Sequence, residues 1–309
     1  MIFRDSDHSY RLDGVVKSGR VEYGEYSERL RDVESPYLSV TSFLKWFEPF
    51  VDWELMAKNY AKKHNMKLEK VKKLWLDKGE EGRMRGSKHH YRREEEMARG
   101  ELNSVIGDYD SSRVVRVLEV DGEKEDKVLE LEMGCIYVEK LLWLEDYKIS
   151  GMADIIRVDD LGFVHVMDYK TDKSLEHKSW KLSNKGIPDR CYYPIKHIDY
   201  CNMNKYALQL SLYMYMVLLH NPGLKFGSLT ILHERFSHNG IYTKTEPHNI
   251  PYLKHEIELL LEHRAKVLLG LEEIEIEKVK KIHYENLKKQ EKKEVDKSFP
   301  PKVKKIFGK

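Results

Sequence analysis

The sequence predicts an α/β protein: a central mixed β-sheet flanked by helices, with an added N-terminal helical layer. Three observations lead to this. Strand-like runs crowd together between Cys135 and Lys170, two of them joined by the hairpin-type turn Asp159-Asp160-Leu161-Gly162. A long apolar helical pattern, NKYALQLSLYMYMVLLH, follows them. Two more strand candidates, GSLTILHERF and GIYTKTEP, then lead into a helix from about Ile250 to Leu271. The order helix, three strands, helix, strand is that of a sheet with crossovers.

Taken from the N-terminus, HSYRLDG suggests a short hairpin. After a polar stretch, Ser39-Val40-Thr41-Ser42 supplies N-cap hydroxyls ahead of the helical segment FLKWFEPF. From Trp53 to about Arg99 the pattern is mostly helical, with a glycine-rich break expected at Glu81-Gly82-Arg83-Met84-Arg85-Gly86. Residues 101 to 131 are charged and turn-rich, which fits either a surface insertion or a pair of edge strands. IYVEKLLWLED, YKISGMADIIRV and FVHVMDYK are expected to form a three-strand meander. The polar stretch from Asp172 to about Asp199 is long for a plain connection, and long loops beside reactive sites often act as lids or substrate contacts.

Beyond Glu272, dense alternating charge reads as a solvated helix followed by the basic tail KSFPPKVKKIFGK; an arm touching DNA or a partner is the other reading. The expected organisation is a hairpin and helical layer over 1–78, a core over 79–271, and a charged helix and tail over 272–309.

At 309 residues and 41% hydrophobic content the chain can bury a proper core. It is 34% charged, but 54 basic against 52 acidic residues leave only +2, so any nucleic-acid surface must be local. Cys135, Cys191 and Cys201 form no CxxC pair and leave one odd thiol, which points to a reducing compartment. The N-terminus MIFRDSDHSY lacks the basic and apolar regions of a signal peptide, and no apolar run approaches the roughly 20 residues a bilayer needs. A cytoplasmic protein without membrane insertion is expected.

The chemistry concentrates in Ile149-Ser150-Gly151-Met152-Ala153-Asp154-Ile155-Ile156 and Phe163-Val164-His165-Val166-Met167-Asp168-Tyr169-Lys170-Thr171. The hairpin turn sets Asp154 and Asp168 roughly across from each other, where two carboxylates can share a metal. Lys170 follows Asp168 by two residues, so its side chain leaves the strand on the same face. Tyr169 points the other way, with its backbone carbonyl available as a further ligand. Hard oxygen ligands holding Mg²⁺ or Mn²⁺ can neutralise a phosphodiester and activate water, and an ammonium can hold that water. Alone, a strand-end Asp beside a Lys is more often a surface ion pair.

Other positions join this pair. His90 and Glu94, four residues apart, share one helical face, so the imidazole can add a ligand and the carboxylate can orient it or bind a water. His89 is the rival ligand. Gln209 and Tyr213 share a face of the later helix among Leu and Met, where a buried amide must find partners and a hydroxyl can reach a phosphate.

In this order the residues resemble the PD-(D/E)xK nuclease superfamily, specifically its RecB-like exonuclease branch. The branch runs Gly-Ser/Thr-x-x-His-x-x-x-Glu, Gly-x-x-Asp, Asp-x-Lys-Thr and Gln-x-x-x-Tyr. Here these elements are Gly86-Ser87 with His90 and Glu94, Gly151 with Asp154, Asp168-Tyr169-Lys170-Thr171, and Gln209 with Tyr213. The resemblance covers roughly residues 80 to 235, and four short motifs in order are far more specific than any one of them. It implies a restriction-endonuclease-like core, with His90, Asp154, Asp168 and the Tyr169 carbonyl as metal ligands and Lys170 as catalytic base or water-orienting group. Glu139, in the preceding strand, is a further acidic candidate. The residue before Asp154 is Ala rather than Pro, as is usual for this branch, and the second acid is Asp rather than Glu.

Some relatives hold an iron-sulfur cluster on four cysteines; three with unsuitable spacing predict none here. A Walker GxxxxGK[ST] motif is absent, so any motor is another chain. The expected function is a Mg²⁺- or Mn²⁺-dependent DNA exonuclease of replication, recombination or repair, encoded by a phage or mobile element and working in the host cytoplasm. An endonuclease of restriction or flap type, or a catalytically silent DNA-binding protein, are the alternatives. The expected partners are DNA and, as a separate chain, a recombinase, single-strand-binding protein or helicase; oligomeric state is left open. Arg83, Arg85, Lys88, Arg92 and Arg93 near His90, and Lys173, Lys178, Lys181 and Lys185 beyond Lys170, are candidate phosphate contacts.

Overall fold

The computed structural model describes residues 1–4, 9–11, 37–101, 107, 109–117, 119–179, 189–237 and 242–298. β1 (Ile2–Arg4) and β2 (Ser9–Arg11) pair antiparallel, so HSYRLDG supplies one strand set against Ile2–Arg4 rather than a hairpin of its own, and its residues 8 and 12–14 lie outside the described residues. β3 (Leu38–Ser39) leads into α1 (Val40–Leu44), where the Ser39 hydroxyl accepts the Ser42 backbone N–H at 3.1 Å and caps the first turn. A 3₁₀ turn over Lys45–Phe47 ends this helix, so FLKWFEPF is helical only as far as Phe47; Phe43, Trp46 and Phe47 are buried. Asp52 caps α2 (Trp53–Lys63) by accepting the Leu55 N–H at 2.8 Å.

α3 (Leu68–Ala98) runs unbroken through Gly79, Gly82 and Gly86, which corrects the break expected at 81–86. A Cβ on any of these glycines would meet nothing within 4 Å, so they lie on open faces of the helix and none is required by a turn. Each costs the helix about 1 kcal/mol relative to Ala, which the surrounding Leu, Lys, Glu and Arg outweigh. The chain turns instead between the two helices, where Asn65 adopts φ +50°. The division expected at 78/79 therefore falls inside one continuous helix.

β4 (Val114–Arg116), β5 (Glu119–Val120) and β6 (Glu123–Glu125) occupy the charged stretch after α3. Short strands of this kind take their stability from partners. β6 pairs with β1 and with β5, making a small four-stranded sheet of order β2-β1-β6-β5 that joins the N-terminal hairpin to this stretch.

β7 (Ile136–Leu144), β8 (Ile149–Val158) and β9 (Phe163–Lys170) form the meander, and α4 (Asn202–His220) crosses from β9 to β10 (Lys225–Phe236). β11 (Tyr242–Ile250), α5 (Lys254–Leu268) and α6 (Glu275–Ser298) complete the described chain. The main sheet has the order β11-β10-β9-β8-β7-β4, with β3 beside the start of β8. β9–β10 and β4–β7 are parallel and the other main pairs antiparallel, so the sheet is mixed.

Its strands are apolar on both faces, as a sheet covered on both sides requires. One face packs with α4 and α5 in the main core, through Val164, Val166, Leu210, Met214 and Leu260. The other packs Ile155, Met167, Tyr169 and Leu232 around Met97 of α3. No helix among the described residues is long and apolar enough to cross a membrane.

Candidate active site

The β8–β9 ladder runs from Val158↔Val164 to Ile155↔Met167 and stops. One step beyond that last pair stand Asp154 and Asp168, across from each other as the hairpin predicted. The strands part here, and the Asp154 carboxylate fills the gap, with Oδ2 accepting the Tyr169 backbone N–H at 2.9 Å. On the other side of β8 the ladder to β7 also skips a step: Val138 pairs with Ile155 and Lys140 with Ala153. Glu139 sits in that gap with φ +51°. A left-handed non-glycine residue inside a strand is strained, and such irregularities re-aim side chains near reactive centres. The Glu139 carboxylate pairs with Lys124 and lines a small cleft shared with His90, Glu94 and Asp154.

On β9, alternation puts Val164, Val166, Asp168 and Lys170 on the α4 face and Tyr169 in the opposite core. Lys170 Nζ lies 2.5 Å from Asp168 Oδ2 and over the Tyr206 ring at 4.7 Å. The Tyr206 hydroxyl donates to Asp172. Tyr206, Gln209 and Tyr213 recur at helical spacing on α4. Gln209 Nε2 donates to Asp168 Oδ1 at 3.3 Å and lies 3.5 Å from the Tyr213 hydroxyl. Gly151 admits that tyrosine: a Cβ there would fall 2.7 Å from Tyr213 Cε1 and 2.9 Å from Val40 Cγ2.

From the opposite face, α3 brings His90 Nδ1 to 3.3 Å from Asp154 Oδ2. His89 turns away: it lies 3.3 Å from Glu234, among the rings of Phe236 and Tyr242, so the rival ligand does not reach the carboxylates. Glu94 is held by Arg116, whose Nε and Nη2 donate at 3.0 and 2.8 Å. This corrects its expected pairing with His90, although it lines the same cleft. One of the expected phosphate contacts is also corrected. Arg93 is buried between Glu96 and Glu234, whereas Arg92, which pairs with Glu96, stays exposed. Arg85 and Lys88 are exposed, as are Lys173 and Lys178; Lys181 and Lys185 lie outside the described residues.

Electrostatically the centre is a tight alternation of charges. The Asp154 carboxylate raises His90 to about 9, against burial. Burial alone would raise Asp154, but His90, Lys170 and the Tyr169 N–H together hold it below its ordinary range. Burial, then the Asp154 charge, lifts Asp168 to about 6 despite Lys170. Burial also disfavours the Lys170 ammonium, yet Asp168 and Asp154 outweigh it and raise its pKa, so it stays charged. Glu139 is raised by burial, which exceeds the pull of Lys124.

Two carboxylates, an imidazole and the backbone of Tyr169 are a mostly hard donor set, which suits Mg²⁺ or Mn²⁺. Asp168 Oδ2 is buried and, among the described residues, faces the Lys170 ammonium, which leaves a lone pair available to a cation. Among the described residues, the three ligand-type side chains whose donor atoms all lie within 4.8 Å of one another are different ones: His233, Glu246 and His248. Sequence reasoning missed these, along with Tyr206, Asp172 and Arg116. A histidine inside the apolar run LTILHERF and a Glu-x-His on the next strand were the available signal, at the period-two spacing that shares a face.

No family model matches this chain, and no curated protein matches it at a significant level.

Proposed function

We propose that this protein is a Mg²⁺- or Mn²⁺-dependent DNA exonuclease of the PD-(D/E)xK superfamily, in its RecB-like branch, with a restriction-endonuclease-like core. The observation that supports this is convergence. His90 from α3 meets Asp154 of β8 at 3.3 Å, Lys170 of β9 and Gln209 of α4 meet Asp168 at 2.5 and 3.3 Å, and the Tyr169 N–H beside Asp168 joins the two groups by donating to Asp154 at 2.9 Å.

Asp154, Asp168, His90 and the Tyr169 carbonyl would hold the ion, and a bound Mg²⁺ or Mn²⁺ supplies charge neutralisation and a water of lowered pKa. Lys170, kept charged by both carboxylates, would donate hydrogen bonds that orient the attacking water and stabilise a phosphate oxygen. Gln209 fixes one Asp168 oxygen, which leaves the other aimed toward Lys170. Tyr213 backs Gln209 and closes the floor against Gly151. Exposed Arg85 and Lys88, on the stretch of α3 leading to His90, and Lys173 beyond Lys170 bind backbone phosphates without reading sequence.

The test is incubation of end-labelled linear DNA and closed circular DNA with Mg²⁺, with Lys170→Ala as control. Degradation of the linear form alone is expected, falling by about 100-fold or more in the variant. Cutting of the circle would reassign the protein as an endonuclease. No cleavage of either by the folded protein would leave a silent DNA-binding protein, and full activity in Lys170→Ala would refute the site.

A further inference from the structure

His233 and Glu246 are direct cross-strand partners in the β10–β11 ladder, and His248 follows two residues after Glu246, opposite Ile231. With period two, all three side chains leave the same face as Ile231 and Ile250 of the main core, and their donor atoms lie within 4.8 Å of one another. His233 is 2% exposed. Its Nε2 lies 2.8 Å from the Asp172 backbone carbonyl. A carbonyl only accepts, so Nε2 carries a proton and Nδ1, 3.9 Å from Glu246 Oε2, is the nitrogen left to face a ligand. A histidine whose second nitrogen donates to a backbone carbonyl is oriented as metal-binding histidines are. Among the described residues His248 Nε2 is buried with no hydrogen-bond partner, a costly arrangement for a polar atom that nothing ligates.

We propose that His233, Glu246 and His248 form a transition-metal site of the Zn²⁺ class on the β10–β11 hairpin, separate from the carboxylate centre. Two imidazoles and one carboxylate suit Zn²⁺ and its first-row neighbours, whereas Mg²⁺ and Ca²⁺ favour all-oxygen sets. Lys244 lies 2.6 Å from Glu246 Oε1 and Arg235 3.7 Å from Oε2, so both compete with a cation for this carboxylate. The Lys244 side chain is 64% exposed and can leave.

The position gives the ion a consequence. His233 is in register with Lys170 on the adjacent strand, and its other nitrogen grips Asp172. An ion here clamps the hairpin to the segment that follows Lys170, and its expected role is structural.

The test uses the full chain carrying Asp154→Asn and Asp168→Asn, which removes the carboxylates of the other centre, titrated with Zn²⁺ and with Co²⁺. One ion per chain, a raised thermal midpoint and the visible absorption of imidazole-bound Co²⁺ are expected. His248→Gln on the same background should lower Zn²⁺ affinity at least about 10-fold. The same dependence on His248 should appear in the unsubstituted chain in excess Mg²⁺, so the reading does not rely on the double variant folding. No binding by folded protein, or binding that ignores His248→Gln, overturns the site. Stabilisation by inorganic phosphate but not by Zn²⁺ overturns it too, and would assign the cluster with Arg235 and Lys244 to an anion. None of these readouts involves DNA, so the outcome is independent of the nuclease reading.

Discussion

His90 carries a proton in the metal-free protein because Asp154, 3.3 Å away, raises it to about 9. Only a neutral imidazole ligates a metal, so under the proposed function ion binding would release that proton. The sign follows: below about 9 the proton competes with the ion, and apparent Mn²⁺ affinity should rise with pH by up to about tenfold per unit, levelling near 9. His90→Ala should weaken binding and flatten the slope above pH 6, leaving the change at lower pH that Asp168, raised to about 6, produces. Mn²⁺ titrations at several pH values measure this; an unchanged slope in His90→Ala would remove His90 from the ligand set. Without metal the sign is opposite. The His90–Asp154 pair stabilises the fold fully below the ordinary histidine value of 6.5, and that contribution is lost as pH climbs through about 9. The spacing of Asp168 and Lys170 was legible because a strand has period two, and Gln209 and Tyr213 because a polar residue in an apolar helix must be satisfied. The choice of His90 over His89 was legible from helical spacing to Glu94, although the Glu94 carboxylate then goes to Arg116. The left-handed backbone of Glu139 was not legible, since no glycine marks it.

Between elements, the contact that sets the site is α4 against β8, and Gly151 is where they touch. A methyl at this position would lie 2.7 Å from Tyr213 Cε1 and 2.9 Å from Val40 Cγ2, closer than packed atoms tolerate. Gly151→Ala is therefore expected to destabilise the protein by about 1–3 kcal/mol, the usual cost of overpacking a core. It should also move Gln209 away from Asp168, lowering activity beyond the loss of folded protein. Adding Tyr213→Leu should recover much of the thermal midpoint and not the activity; an unaltered midpoint in Gly151→Ala alone would show that the two elements are not in tight contact. The meander, α4, β10 and β11 were legible because each carries its own periodicity. The expected break in α3 was misplaced because glycine marks a stop only where the backbone needs it, and Gly79, Gly82 and Gly86 sit in ordinary helix with open space around them. β4 and β6 were ambiguous because their pairing partners, β7 and β1, lie elsewhere in the sequence, and β5 is a two-residue edge strand beside β6.

At the scale of the whole molecule, the charge density beyond Glu272 obscured how the C-terminal helix is attached. Ile274 and Ile276, among glutamates, are buried in the main core. Glu275 between them accepts the Tyr193 backbone N–H at 2.8 Å and pairs with Lys196 at 2.9 Å. Farther along α6, His283 lies 2.6 Å from Asp52, the residue that caps α2, and both His283 and Tyr284 meet the Phe50 ring edge-on. The helix thus braces α2 against the core rather than standing apart from it. Burying an isoleucine contributes about 1.5–3 kcal/mol, so truncation after Leu271 should cost about 3–6 kcal/mol, a large part of a typical domain's stability of about 5–15 kcal/mol. Ile276→Ala in the full chain separates the core contribution from the loss of the helix, with an expected cost of about 2–5 kcal/mol. Denaturant unfolding of the three proteins measures both. A truncated chain as stable as the intact one would make the C-terminal segment an appendage, whereas the predicted loss makes it part of the scaffold on which α2 and α3 are held.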